Sequence, residues 1–267
     1  MMKKLFLIAI ACIIIGVIGI SQTYEKAVQT AEKGDKENVI KNETLKNIEV
    51  KLDAGDIIVQ KSPDSSFYVK QSGDVRKQEI RIAEDGDTLK IIGEREKGAS
   101  LDFSFYDFRF QTSKLTLLVP ERSYQDVKVN SSAGQIEMSD VKSHSISVRT
   151  LAGEVELKQV TAKNVEGSTK AGEVNFKKVL GKVTAKTTSG EINIQDHDSK
   201  YNLEASSTAG DIDITLSEKP QDAVITGQSA AGDVTIFNEE NKNVTIGNGS
   251  KKISGKTAAG DVTIETR

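Results

Sequence analysis

The chain has 267 residues, 37% of them hydrophobic and 28% charged, with 36 basic against 39 acidic side chains and a formal net charge of −3. Such a composition is globular rather than disordered, and so even a charge balance creates no field that would select DNA, RNA or an anionic surface. Aromatics make up only 5%, Trp is absent, and 21 Gly accompany abundant Val, Ile, Thr and Ser, which favours strands and tight turns over packed helices.

Lys3 and Lys4 precede an unbroken apolar run from Leu5 to Ile20, and the chain turns polar at Ser21-Gln22-Thr23. Residues 1–21 therefore read as a signal-anchor, a single transmembrane helix with positive charge on its cytoplasmic side and the rest of the chain exported. Gly19-Ile20-Ser21 is a mediocre peptidase site, which favours retention over cleavage. The sole cysteine, Cys12, lies inside this run, so the exported part has no disulfide, thiolate metal site or Cys nucleophile. Residues 22–46 are rich in Lys, Glu, Asn and Thr and read as a polar tether.

Residues 47–126 are predicted as an N-terminal β region and cap. Strands are expected at Phe67-Tyr-Val-Lys70, Ile80-Arg-Ile-Ala83, Leu89-Lys-Ile-Ile92 and Lys114–Val119, with a hairpin signal at Glu84-Asp-Gly-Asp87. Within this region Phe103, Phe105, Tyr106, Phe108 and Phe110 crowd into one short stretch. They form either a contact surface for membrane or a partner, or a hydrophobic plug over the end of the fold.

From residue 127 to 267 the chain repeats. An Ala-Gly-acidic unit or a close variant recurs around Gly55, Gly134, Gly153, Gly172, Gly190, Gly210, Gly232 and Gly260, with spacings from Gly134 onward of 19, 19, 18, 20, 22 and 28. A near-constant period of this length means one supersecondary unit copied and stacked. Seven residues before each Gly stands Ile, Val or Leu; three before it stands Ser or Thr in every copy but the first, which has Leu52. After the Gly the phase flips, with Ile or Val always at the second position and a large apolar residue at the fourth. Odd positions face inward before the glycine and even positions after it, so the chain turns a corner there. Val141, Val160 and Val179, seven after their glycines, supply a third inward point. The predicted fold is all-β: a single-stranded parallel β-solenoid, expected to be a right-handed β-helix, with an irregular β cap at its N-terminal end. Nothing seals the other end in sequence, so the C-terminal rung is expected to be exposed and available for self-association.

The anchor, the Leu-Leu-Val-Pro120 strand leading into Val127-Lys-Val-Asn-Ser-Ser-Ala-Gly134, and the repeated units together resemble the putative-adhesin β-strand-repeat family of bacterial envelope proteins, a domain of unknown function. The layout is also similar to the LiaG type of membrane-anchored protein, which implies an extracytoplasmic location and a role in envelope stress.

The acidic column, Asp56, Glu154, Glu173, Glu191, Asp211, Asp233 and Asp261, has two readings. It is either a ladder for Ca²⁺, with Asp211, Asp233 and Asp261 as the metal candidates, or a row of corner residues accepting backbone hydrogen bonds. The second is preferred, because the nonapeptide of calcium-binding β-rolls is absent. His144 and His197 are both expected in exposed turns. No phosphate loop, nucleophile elbow or zinc spacing occurs, so no catalytic residue and no cofactor is assigned. The expected function is a non-enzymatic, membrane-anchored scaffold or adhesin-like binding surface, with an envelope protein or polysaccharide as partner and no nucleic acid. Two alternatives stay open: a carbohydrate-active β-helix enzyme acting on envelope polysaccharide, and a self-assembling structural protein.

Overall fold

The computed structural model describes residues 36–73, 78–95 and 113–267, all within one compact unit, Asp35–Arg267. The predicted anchor, most of the tether and the phenylalanine cluster lie outside the described residues. Among the described residues no helix is long and apolar enough to cross a membrane, and strands make up all the regular structure.

In chain order these are β1 (Lys36–Ile40), β2 (Asn47–Leu52), β3 (Asp56–Lys61), β4 (Phe67–Ser72), β5 (Gln78–Asp85), β6 (Thr88–Arg95), β7 (Lys114–Val119), β8 (Ser123–Ala133), β9 (Ile136–Ser139), β10 (Lys142–Ala152), β11 (Val155–Lys158) and β12 (Thr161–Ser168). There follow β13 (Val174–Lys177), β14 (Leu180–Lys186), β15 (Ile192–His197), β16 (Leu203–Ser206), β17 (Ile212–Leu216), β18 (Ala223–Gln228), β19 (Val234–Ile236), β20 (Asn243–Ile246), β21 (Lys251–Lys256) and β22 (Val262–Thr266).

They form two sheets of eleven strands each. One runs β1-β4-β7-β3-β9-β11-β13-β15-β17-β22-β19, and the other β20-β18-β21-β16-β14-β12-β10-β8-β2-β6-β5. Antiparallel strands occur only at the ends: β1 and β4 in the first sheet, β20 and β5 in the second. Setting these aside leaves nine parallel strands per sheet, hence nine rungs of one strand from either sheet; in eight the two strands meet at a glycine corner, and in β6–β7 they are joined through residues 96–113.

The pairing register reproduces the repeat column by column. Val127 pairs with Ile146, Ile146 with Val165, Val165 with Val183, and Val183 with Leu203. Past the corner, Ile136 pairs with Val155, Val155 with Val174, and Val174 with Ile192. These residues are buried and form one continuous core between the sheets. The inward faces are apolar because a one-residue slip would turn every one of them to water, so burial fixes the register.

A second corner lies six residues after each early glycine. Asp140, Gln159, Lys178 and Asp196 all take a left-handed conformation with φ between 52 and 57°, and each is followed by the third inward residue. At the first three the linker between the two sheets is only two residues, so a tight left-handed step is what redirects the chain, whereas Asp196 lies within β15, ahead of a five-residue connection to β16.

The order of rungs departs from the order of sequence at both ends. The rung β2–β3 lies inside the stack, flanked by β8–β9 on one side and by β6–β7 on the other. At the far end the C-terminal rung, β21–β22, sits between β16–β17 and β18–β19. The expectation of an exposed C-terminal rung is therefore corrected: both of its edges are paired, and the outermost position belongs to β18–β19, sealed on one sheet by the antiparallel β20. Repeats of one chemistry can stack on one another in any order, so sequence position does not dictate place.

At the opposite end Arg122 fastens the segment that leads into the first rung. Its guanidinium donates to the carbonyls of Asn42, Glu43 and Leu45 and lies over the rings of Phe67, at 5.2 Å, and Tyr124, at 5.4 Å. Tyr124 in turn donates to the Pro120 carbonyl, and burial pushes its phenol up to about 12.

Candidate functional site

The glycine corners stack directly. A Cβ placed on Gly134, Gly153, Gly172, Gly190 or Gly210 would overlap the carbonyl oxygen of the glycine one rung before it. That carbonyl is skipped by the sheet ladder, which runs from Gly134 N–H to Ala152 and from Ile136 N–H to Glu154. The Ser/Thr column satisfies it. Thr169 donates to Gly153 at 3.0 Å, Thr187 to Gly172 at 3.1 Å, Ser207 to Gly190 at 3.2 Å and Thr257 to Gly210 at 3.0 Å. These hydroxyls are buried, and a buried carbonyl left without a donor costs about 1–3 kcal/mol.

The acidic column answers the other skipped group, the N–H of the residue after the glycine. Asp56 accepts from Gln135 at 3.0 Å, Asp211 from Asp261 at 2.8 Å, and Asp261 from Asp233 at 2.8 Å. Glu154 instead takes side-chain amides, Gln135 Nε2 at 3.2 Å and Asn175 Nδ2 at 2.6 Å. Of the three aspartates singled out for calcium, Asp211 and Asp261 thus cap the next rung, and Asp233 lies on the outermost rung with no further rung to cap. Among the described residues no three acidic, His or Cys side chains are grouped to hold a metal ion.

The histidines separate. His144 is exposed but lies within β10 rather than in a turn, and His197 is buried, so the expected place of both in exposed turns is corrected. It stands seven residues after Gly190, in the column of Val141, Val160 and Val179, and its ring fills the same inward point. Nε2 lies 3.2 Å from the Tyr201 carbonyl, which accepts only, so Nε2 carries the proton. Nδ1 is buried without a partner, and burial holds the imidazole below its ordinary value.

With the corners committed to structure, the outer faces carry what remains. On the outer face of the second sheet Ser145 stands beside Asn164 and Asn164 beside Lys182, while Ser147 stands beside Glu166 and Glu166 beside Thr184. The register of β12 slips between Thr161 and Asn164, and these six side chains line a shallow depression of about 200 Å³. Arg149 pairs with Glu166 at 2.8 Å on its rim. The depression offers hydroxyls, an amide, an ammonium and a carboxylate within one open basin, a set that can both donate to and accept from a polyhydroxylated ligand. It had no sequence signal beyond alternation, because its outward residues share no motif.

A family model described as Toastrack DUF4097 matches residues 45–179 and again 124–265. The two matches together take in every rung. The chain belongs to the Toastrack DUF4097 family. No curated protein matches this Toastrack chain. Among solved structures it is similar to a "putative adhesin" from Bacteroides fragilis at 15% identity and a TM-score of 0.49, covering 87% of this chain and 98% of that one. It is also similar to a "putative cell adhesion protein" from Clostridium sporogenes at 11% identity, TM-score 0.44, covering 87% and 100%. A third, a "putative lipid binding protein" from Parabacteroides distasonis, shows 15% identity and a TM-score of 0.42 over 86% and 96%.

Proposed function

We propose that this Toastrack chain is a non-enzymatic binding scaffold of the cell envelope, held at the membrane by residues 1–21 and displaying its solenoid outside the cytoplasm to an envelope polysaccharide or protein, in the service of an envelope-stress response. The observation that carries the reading is the division of labour among its polar groups. Corner hydroxyls and aspartates serve the rung-to-rung hydrogen bonds, whereas the outer face of the second sheet presents in-register polar side chains around the basin at Asn164 and Lys182. Flat, rigid, polar ladders suit repeated weak contacts with an extended ligand better than chemistry on a single bond.

Two measurements test it. Full-length protein in its own membranes should resist carbonate extraction and be digested by protease added to intact protoplasts; a soluble, protected protein contradicts the localisation. Purified full-length protein in detergent should sediment with isolated cell-wall polysaccharide, and Ser147→Trp, which fills the basin from outside the core, should weaken that by about tenfold, the size expected of a lost central contact. Absence of co-sedimentation, or an unchanged variant, contradicts the binding face.

A further inference from the structure

The outermost rung is attached in an unusual way. β18 is paired with β21 and with its own hairpin partner β20, and β19 is paired with β22 alone. All of its sheet pairing to the rest of the stack thus passes through the C-terminal rung. The corner bonds agree: Ser229 donates to the Gly260 carbonyl at 2.8 Å and the Asp233 N–H to Asp261 at 2.8 Å.

The two ends of this segment meet. Asp222 Oδ1 accepts the Ser250 N–H at 3.2 Å, and the Asp222 carbonyl accepts the Lys251 N–H at 3.3 Å. Gly247 and Gly249, both at positive φ, lead into that junction. Residues 223–249 are therefore a closed loop with a fixed base, an internal hairpin and a one-sided attachment. A strand cannot slide into a gap already closed on both edges without breaking two ladders. The C-terminal rung therefore cannot enter between rungs that are already joined, and residues 223–249 reach the stack only through it.

We propose that residues 223–249 are a strap that closes last and opens first, as a unit, over the C-terminal rung while the other eight rungs stay shut. Opening uncovers the hydrogen-bonding edge of β21 and β22, and the occupant that edge is built for is the strap itself.

Hydrogen exchange on full-length protein in detergent tests this. The amides of β18 and β19 should exchange together, and faster by about tenfold or more than the amides of β21 and β22 that donate toward β16 and β17, whereas those that donate to the strap, such as the Val262 N–H to the Asp233 carbonyl, should exchange with it. A faster-exchanging C-terminal rung, or a strap as protected as β14–β15, overturns the proposal. Deletion variants separate the strap from its support. Removing Ala223–Gly249, so that Asp222 joins Ser250, should leave β16, β17, β21 and β22 protected. Removing Lys251–Arg267 should strip protection from the strap as well as from the missing rung. If the first deletion unravels β21–β22, or the second leaves the strap protected, the strap is not the dependent element.

Discussion

Replacing Gly172 with Ala puts a methyl group into the space held by the Gly153 carbonyl, at a φ of +137° that an L-residue resists. The cost should be at least ~2 kcal/mol, since strain and overlap act together. In a domain of this size that lowers Tm by roughly 4–8 °C in calorimetry. Thr169→Val keeps the shape but removes the donor to Gly153, and a loss of about 1–2 kcal/mol is expected, while Thr169→Ser should recover most of it. Equal stability of the Val and Ser variants would mean the hydroxyl is not serving that carbonyl. His197 gives the residue scale a pH dependence. Burial lowers its folded-state pKa beneath 6.5, so the unfolded chain binds the proton more readily. Stability is then complete above that value and declines as pH falls below it, until the folded-state pKa is reached. His197→Val, which restores the residue of the three preceding rungs, should flatten that decline in denaturant titrations from pH 7 to 5. A variant that keeps the wild-type slope would place the pH response elsewhere.

Volume is balanced within a rung. Gly167 stands where the two preceding rungs carry Val129 and Val148 and the two following carry Ala185 and Ala205, and a Cβ there would overlap the ring of Phe176, which faces it across the corner. Gly227 is filled by Val234 and Gly255 by Val262 in the same way. Gly167→Ala should therefore destabilise by about 1–3 kcal/mol through overpacking. Phe176→Leu alone leaves a void of similar cost, and the pair together should lose clearly less than the sum, measured as a double-mutant cycle. Additive losses would show that the two side chains are not sharing one space. Much of this element scale was legible in sequence, because alternation and its reversal at Gly are direct consequences of side-chain period and corner geometry. His197 was legible too, by its distance from Gly190, but Gln195-Asp-His-Asp198 reads locally as a polar turn and local composition hid the column. Arg122 left no mark, since its partners at residues 42–45, Phe67 and Tyr124 are brought to it only by the packing of the first rungs.

At the scale of the whole molecule, the face of each strand and eight of the nine rungs followed from the repeat, whereas the ninth rung, β6–β7, which carries no copy of it, and the order of stacking did not. Every corner offers its neighbour the same glycine carbonyl, so the Ser/Thr and Ala-Gly-acidic pattern is silent on which rung adjoins which. The spacings of 22 and 28 residues at the end marked only longer connections. The outer-face basin was equally illegible, as its outward residues share no motif. What the stack makes is a rigid ladder whose polar interior bonds are used up and whose faces are free, and the exchange of its last two rungs is the feature on which that description is most exposed.

Engineered cysteine pairs on the exposed positions two residues before the corner test it directly, in a Cys12→Ala background. Thr208→Cys with Ala258→Cys would stand at adjoining corners about 5 Å apart and should form a disulfide under mild oxidation, as should Ala258→Cys with Ala230→Cys. Thr208→Cys with Ala230→Cys, about 10 Å apart across the intervening rung, should not. Ready cross-linking of residues 208 and 230, with none between 208 and 258, would contradict the account.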